Sequence, residues 1–201
     1  MIAIIDYDAG NLKSVEKALN YLGEDTIVTR SREKLLEADK VILPGVGAFG
    51  EAMKRLENYR LVEVIKEVAA SGKPFLGICL GLQLMFESSD EAPGVAGLGI
   101  LNGKILRIPD RHDLKIPHMG WNSLSLMKDT KLFSSVPDGS YVYFVHSYYL
   151  EAEKEEEVAA VTEYGVRIHA AVEKDNIFAC QFHPEKSGDV GLKILKNFAA
   201  V

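Results

Sequence analysis

The sequence is poor in thiols. Cys79 and Cys180 are its only cysteines, too few for a disulfide framework and without the paired spacing of a structural zinc site. It has no apolar run near the ~18 residues of a membrane-spanning helix. It has no basic surplus either: 23 basic side chains against 29 acidic leave a formal charge of −6, which argues against nucleic acid as a partner. The opening Met1-Ile2-Ala3-Ile4-Ile5-Asp6 lacks the basic flank and cleavage site of a signal peptide and reads as a first strand. No repeat, linker or low-complexity segment interrupts the chain. The expectation is one domain over residues 1–201, in a reducing cytoplasm, without membrane, metal or cofactor.

Hydrophobic residues make up 47% and charged residues 26%, an ordinary globular composition with material for an ample core. Ile2–Ile5 and Val41–Leu43 are continuous apolar runs, the pattern of strands covered on both faces. Between them Leu12, Val15, Ala18, Leu19 and Leu22 recur at helical spacing, with Gly23 placed to stop the helix. Thr26–Val28 reads as a strand, Arg32–Ala38 as a short helix, and Glu51–Leu56 and Leu61–Ala70 as helices before a strand around Phe75. This alternation predicts an α/β fold with a doubly wound, mostly parallel sheet. From Glu87 to Gly99 a polar connection follows. Strands are then expected over 103–108, 123–126, 141–150, 158–162, 168–172 and 177–182, as antiparallel additions in the C-terminal half, with a closing helix over 190–198. The glutamate-rich 151–157 reads as a solvated hairpin tip.

The stretch Gly77-Ile78-Cys79-Leu80-Gly81-Leu82-Gln83 sits where a strand hands over to a helix. A cysteine flanked two residues either side by glycine has the form of a nucleophile elbow, whose turn leaves no room for a neighbouring Cβ. A thiol there faces a helix N-terminus, which favours the thiolate. Sites in such sheets gather at the carboxyl ends of strands. The loop after Ile5, the loop Pro44-Gly45-Val46-Gly47-Ala48-Phe49-Gly50 and Cys79 all fall there.

The histidines are His112, His118, His146, His169 and His183. His183 lies in Gln181-Phe182-His183-Pro184-Glu185. Pro184 biases the preceding residue towards extended backbone, where side chains at i and i+2 point the same way. Glu185 is therefore placed to orient one imidazole nitrogen while the other faces a nucleophile. The same pattern also describes a strand-end turn carrying a surface ion pair.

Together the two motifs resemble the class I glutamine amidotransferases, the Cys-His-Glu glutaminases with a flavodoxin-like sheet, and the resemblance spans nearly the whole chain. It implies Cys79, His183 and Glu185 as the triad, and an oxyanion site from Val46, Gly47 and Leu80. It implies glutamine binding by Gly47, Gln83, Glu91, His146, Ser147 and Tyr148. Read alone, Gln83 also fits an exposed helix residue and Glu91 a loop charge, the less favoured reading of each.

Within the family, Asp6–Asn11, Glu91–Val95, Pro117–Asn122 and Tyr143–Tyr148 are similar to the branch that passes ammonia to a (β/α)8-barrel cyclase subunit in histidine biosynthesis. That similarity implies a heterodimer, with Asn11, His118, Met119, Trp121, Tyr143 and Lys186 at the partner. Asp8 departs from the glycine of that branch. Glutaminases serving other synthases, a non-catalytic regulator on the same scaffold and a cysteine peptidase or chaperone are the competing readings. Cys180 is expected to be a buried strand residue without a chemical role.

Overall fold

Alternate side chains of the first strand go to opposite sides of one sheet, and every one is buried. The computed structural model describes residues 1–201. In β1 (Ile2–Ile5) Ala3 and Ile5 enter one hydrophobic cluster, while Ile2 and Ile4 enter another. Val41 and Leu43 divide from Ile42 in β3 (Lys40–Leu43) in the same way, as does Phe75 from Leu76 and Ile78 in β4 (Phe75–Ile78). A strand apolar on both faces must be covered on both. One face is covered by α2 (Arg32–Glu37), α3 (Phe49–Asn58) and α4 (Leu61–Ala70), the other by α1 (Leu12–Tyr21) and α6 (Gly188–Ala199). Gly23, at φ 85°, closes α1 as the spacing predicted, with its N–H on Asn20 and that of Glu24 on Leu19.

The central sheet has eight strands in the order β2-β1-β3-β4-β13-β12-β11-β8, where β2 is Thr26–Thr29, β8 Ser125–Leu126, β11 Val158–Glu163, β12 Arg167–Lys174 and β13 Ile177–Cys180. From β2 to β13 the strands are parallel; β12, β11 and β8 are added antiparallel. The expected class is observed. The order places β4 between β3 and β13, so the loops after these strands meet.

Several local expectations are corrected. The 141–150 run is two strands, β9 (Tyr141–His146) and β10 (Tyr148–Ala152), divided at Ser147 and belonging to different sheets. β9 pairs with β7 (His118–Ser123), a strand unexpected from a Gly- and Asn-bearing stretch without β-branched residues. β10 pairs with β6 (Gly103–Arg107), which also takes β5 (Ser88–Ser89) from inside the supposed polar connection. The 151–157 segment is therefore no hairpin tip. It links two sheets, and Glu157 is buried with an ion pair to Lys174 at 3.1 Å. The expected 123–126 strand is reduced to Ser125–Leu126 at the sheet edge.

Candidate active site

Cys79 is the residue between β4 and α5 (Leu80–Leu84), with φ 54° and ψ −108°. A non-glycine residue held in such a region costs ~1–3 kcal/mol and persists only where its surroundings impose it. Here they do. A Cβ on Gly77 would stand 2.9 Å from the backbone of Gly81, and one on Gly81 would stand 1.8 Å from the carbonyl oxygen of Leu43. The N–H of Cys79 donates to the carbonyl of Cys180 at 2.8 Å, tying the elbow to β13. The elbow predicted from the glycine spacing is thus present, though α5 is only one turn and a half.

His183 and Glu185 follow β13, with side chains 1% and 0% exposed and His183 Nδ1 2.7 Å from the Glu185 carboxylate. A carboxylate only accepts, so Nδ1 carries the proton. Nε2 has no partner of ordinary hydrogen-bond geometry, and the thiol of Cys79 is its neighbour. Burial works to lower this imidazole, but Cys79 and Glu185 outweigh it and push it up to about 10. At neutral pH His183 is an imidazolium between a sulfur and a carboxylate. Asn11 donates from Nδ2 to the same Glu185 oxygen that His183 uses.

A cavity of about 370 Å³ opens over Cys79, walled by Val46, Gly47 and Leu80 on one side, His146, Ser147 and Tyr148 on another, and Gln83 and Glu91 between. Each substrate and oxyanion residue expected from sequence lines it; Pro117 and Val145 also line it and were not foreseen. The expected oxyanion donor is engaged elsewhere: the N–H of Leu80 donates to the carbonyl of Gly45 at 3.3 Å. That carbonyl belongs to the Gly45–Val46 peptide, so the same peptide carries the Val46 N–H away from Leu80. The loop is held from behind by Tyr7, whose hydroxyl donates to Pro44 O at 2.8 Å; a Cβ on Gly45 would lie 2.1 Å from it. Glu91 spends one carboxylate oxygen on the N–H of Phe49, at the start of α3, at 2.8 Å. It is a cap as well as a wall.

Gln83 is buried, not the exposed helix residue its alternative reading described. Its Nε2 donates to Tyr148 O and to Gln181 Oε1, both at 3.1 Å. Gln181, absent from the sequence-based candidates, is fully buried with Nε2 3.6 Å from Cys79 Sγ. Glu185 reaches His183 from the 3-10 turn Pro184–Lys186 and not along the extended segment expected from the sequence; Gln181 lies two residues before His183, in the segment that leaves β13. Cys180 is buried as expected, its thiol raised well above the usual range by burial, and its sulfur lies 3.5 Å from Phe182 O.

Two further histidines form a chain of fixed direction. His146 Nδ1 lies 2.8 Å from the carbonyl of Tyr148, which only accepts, so Nδ1 is protonated. Its Nε2 then accepts from His118 Nδ1 at 2.9 Å. Burial lowers the pair to about 3 for His146 and about 4 for His118. His118 is 3% exposed and stacks between Phe144 and Tyr164 at centroid distances of 4.8 and 3.8 Å. This corrects its assignment to an outward contact surface, because alternation in β7 turns it inward. The opposite face of the β7–β9 ribbon carries Met119 and Trp121 at 62% and 55% exposure, beside Tyr143 and Tyr141. Lys186 is also exposed, whereas the amide of Asn11 turns in to Glu185.

At Asp8 the backbone takes φ 60°, a conformation natural to glycine and tolerated by aspartate. Asp8 is held there by Arg30 at 2.7 Å, by the hydroxyl of Tyr59, and through its carbonyl by Arg55. The departure from glycine is thus accommodated.

A strained cysteine elbow, a buried His–Glu pair and a small cavity at the carboxyl ends of parallel strands define a thiol amidohydrolase site. The chain belongs to the class-I glutamine amidotransferase family, which it matches over residues 3–201. It is 53% identical over 201 residues to "Imidazole glycerol phosphate synthase subunit HisH" of Bacillus cereus (strain G9842), covering 100% of this chain and 95% of that one. A protein of the same name from Caldanaerobacter subterraneus subsp. tengcongensis is 52% identical, over 98% of this chain and 97% of its own. Among solved structures, PurLQS from Thermotoga maritima superposes with a TM-score of 0.77 at 21% identity, covering 99% of this chain and 97% of that one. That likeness shows the fold.

Proposed function

We propose that the chain is the glutaminase subunit of an imidazole glycerol phosphate synthase in histidine biosynthesis. The observation that carries the chemistry is the Cys79–His183–Glu185 constellation, with Cys79 opening on the cavity. The relatives at about half identity over nearly their whole length carry the choice of synthase. Cys79 thiolate attacks the side-chain amide carbon of glutamine, forming a C–S bond and an oxyanion. His183 gives its proton to the nitrogen as the C–N bond breaks, and ammonia leaves. Water then adds to the thioester, His183 takes a proton from it, and glutamate departs as the thiolate returns. Glu185 keeps His183 in the tautomer both steps need.

The oxyanion requires N–H donors, and in the present loop state the Leu80 N–H is committed to Gly45. Turning the Gly45–Val46 peptide over would release Leu80 and bring the Val46 N–H towards the cavity, with Gly47 adjoining. Loss of one such donor typically costs about 10²–10³ in rate. The isolated chain is therefore expected to turn glutamine over poorly. Gln83, Glu91, His146, Ser147 and Tyr148 form the glutamine pocket.

The partner is a (β/α)8-barrel cyclase subunit, joined as a heterodimer in the cytoplasm. It takes the ammonia and converts phosphoribulosylformimino-AICAR to imidazole glycerol phosphate and AICAR. Met119, Trp121 and Tyr143 supply the exposed aromatic and thioether surface suited to such a contact, with Asn11 and Lys186 at its edge. Glutamine turnover with and without the cyclase and its nucleotide ligand tests this reading. Stimulation by both, abolished in Cys79→Ala, is the expected result. Full activity of the chain alone would refute the coupling, and stimulation only by another synthase would refute the partner.

A further inference from the structure

The buried amide of Gln181 has one orientation available to it, and that orientation can be read outward from a backbone carbonyl. Tyr148 O only accepts, so the Gln83 atom 3.1 Å from it is nitrogen. The same nitrogen lies 3.1 Å from the Gln181 amide, so the Gln181 atom there is oxygen. The remaining amide atom of Gln181, its Nε2, is then the one 3.6 Å from Cys79 Sγ. Gln181 is 0% exposed and Gln83, at the cavity wall, 5%, so the Gln181 amide takes its partners from the protein. Turning either amide over would set two like poles together without solvent.

We propose that Gln181 is a further catalytic residue, donating a hydrogen bond to the sulfur of Cys79 that favours the thiolate, with Gln83 holding it in that direction. A donor aimed at an ionisable group stabilises its charged form, and a charge-assisted hydrogen bond is the stronger kind. His183 neutralises the sulfur from one side; Gln181 supplies a donor that carries no titrating proton. That donor stays in place when His183 surrenders its proton to ammonia, so the sulfur remains a good leaving group in thioester hydrolysis. The link through Gln83 to Tyr148 also ties the sulfur to the wall of the glutamine cavity.

The inference rests on Cys79 being the glutaminase nucleophile, and its test is chosen to read the sulfur alone. The rate of iodoacetamide alkylation at the Cys79 peptide is followed by mass spectrometry from pH 5 to 10 in the full chain. In Gln181→Met the rate at pH 7 should fall about tenfold, the size expected for one hydrogen bond to a charged group. The midpoint of the profile should move up, and the limiting rate at high pH should match the parent. Gln181→Glu, of the same shape but with an acceptor beside the sulfur, should fall further. Gln83→Met, which leaves Gln181 in place but free to turn, should give a smaller shift in the same direction. It decides the matter if the Gln181 variants do not fold. Unchanged midpoints in the folded variants would overturn the proposal. Glutamine turnover lost in Cys79→Ala tests the underlying reading separately.

Discussion

Asn11 and Glu185, 174 residues apart, meet through an amide hydrogen and a carboxylate oxygen in the interior of the site. Asn11 is the N-cap of α1 yet makes no capping bond with its side chain. Asparagine at that position ordinarily caps the helix, a contribution of about 0.5–2 kcal/mol. Here the amide is diverted to the oxygen that also holds His183. Replacing Asn11 by alanine should leave Glu185 with one donor on that oxygen and none on the other, which has no partner. The expected result is a fall in kcat of about ten- to a hundredfold, the equivalent of about 1.5–3 kcal/mol. The KM for glutamine should hold, while the urea midpoint should fall modestly, because alanine is strained at the φ of 74° that Asn11 adopts. An unchanged kcat would show that Glu185 needs no second donor.

Gly81 offers a test of the elbow itself. Its α-carbon faces the Leu43 carbonyl so closely that a methyl group cannot be placed without moving β3 or α5. Neither is flexible, since both lie in the buried core. Gly81→Ala should destabilise the chain by more than about 3 kcal/mol, in the range of severe overpacking. Chemical denaturation reads this directly. Gly94→Ala is the control: nothing lies within 4 Å of its would-be Cβ, so it should lose only the smaller cost of its positive φ.

The difference between these two residues shows what was legible in the sequence. Strand-to-helix alternation, the stop at Gly23 and the elbow glycines announce themselves because each is a local rule with one physical solution. Gln181 stands two residues before His183, but a glutamine has no titratable group to draw notice, and the 3-10 turn that brings Glu185 to His183 is not the extended backbone that Pro184 suggested. The β7–β9 ribbon was half missed because its stability comes from cross-strand partners such as His118 and His146, which sequence spacing cannot pair. The division of 141–150 at Ser147 was hidden for a similar reason: a single run of aromatic and β-branched residues serves two sheets. The state of the Leu80 N–H depends on one peptide orientation, and Gly45 permits either.

The paired histidines should make stability depend on acid. Folding keeps His118 and His146 neutral, with values lowered from 6.5 to about 4 and about 3, mainly by burial. The unfolded chain therefore binds more protons than the folded one between those limits, so stability falls as pH drops. The loss begins near 6.5 and continues until the folded pair titrates. His183 acts in the opposite sense. Raised to about 10, it contributes fully below 6.5 and loses that contribution as pH climbs through its folded value. Urea unfolding at pH 7 and pH 5 should show a smaller drop in a His118→Phe, His146→Gln double variant than in the parent. Equal drops would mean that the pair does not resist protonation.

The exposed face of the β7–β9 ribbon is the proposed docking surface for the cyclase. Trp121 and Tyr143 are cross-strand neighbours on the exposed face of the β7–β9 ribbon, edge to face at 6.0 Å. Rigid, half-exposed aromatics lose little entropy on docking and dominate contact energies where they become buried. Trp121→Ala should weaken binding of the cyclase by about 2 kcal/mol, close to thirtyfold in Kd, measured by titration calorimetry. Tyr21, exposed to 79% on α1, is the matching control, because it lies on a different element from the proposed contact. Its replacement by alanine should leave Kd unchanged. If both variants weaken binding equally, or neither does, the ribbon is not the docking face. Loss of cyclase-stimulated glutamine turnover in Trp121→Ala at low partner concentration, restored at saturating partner, would separate docking from damage to the triad.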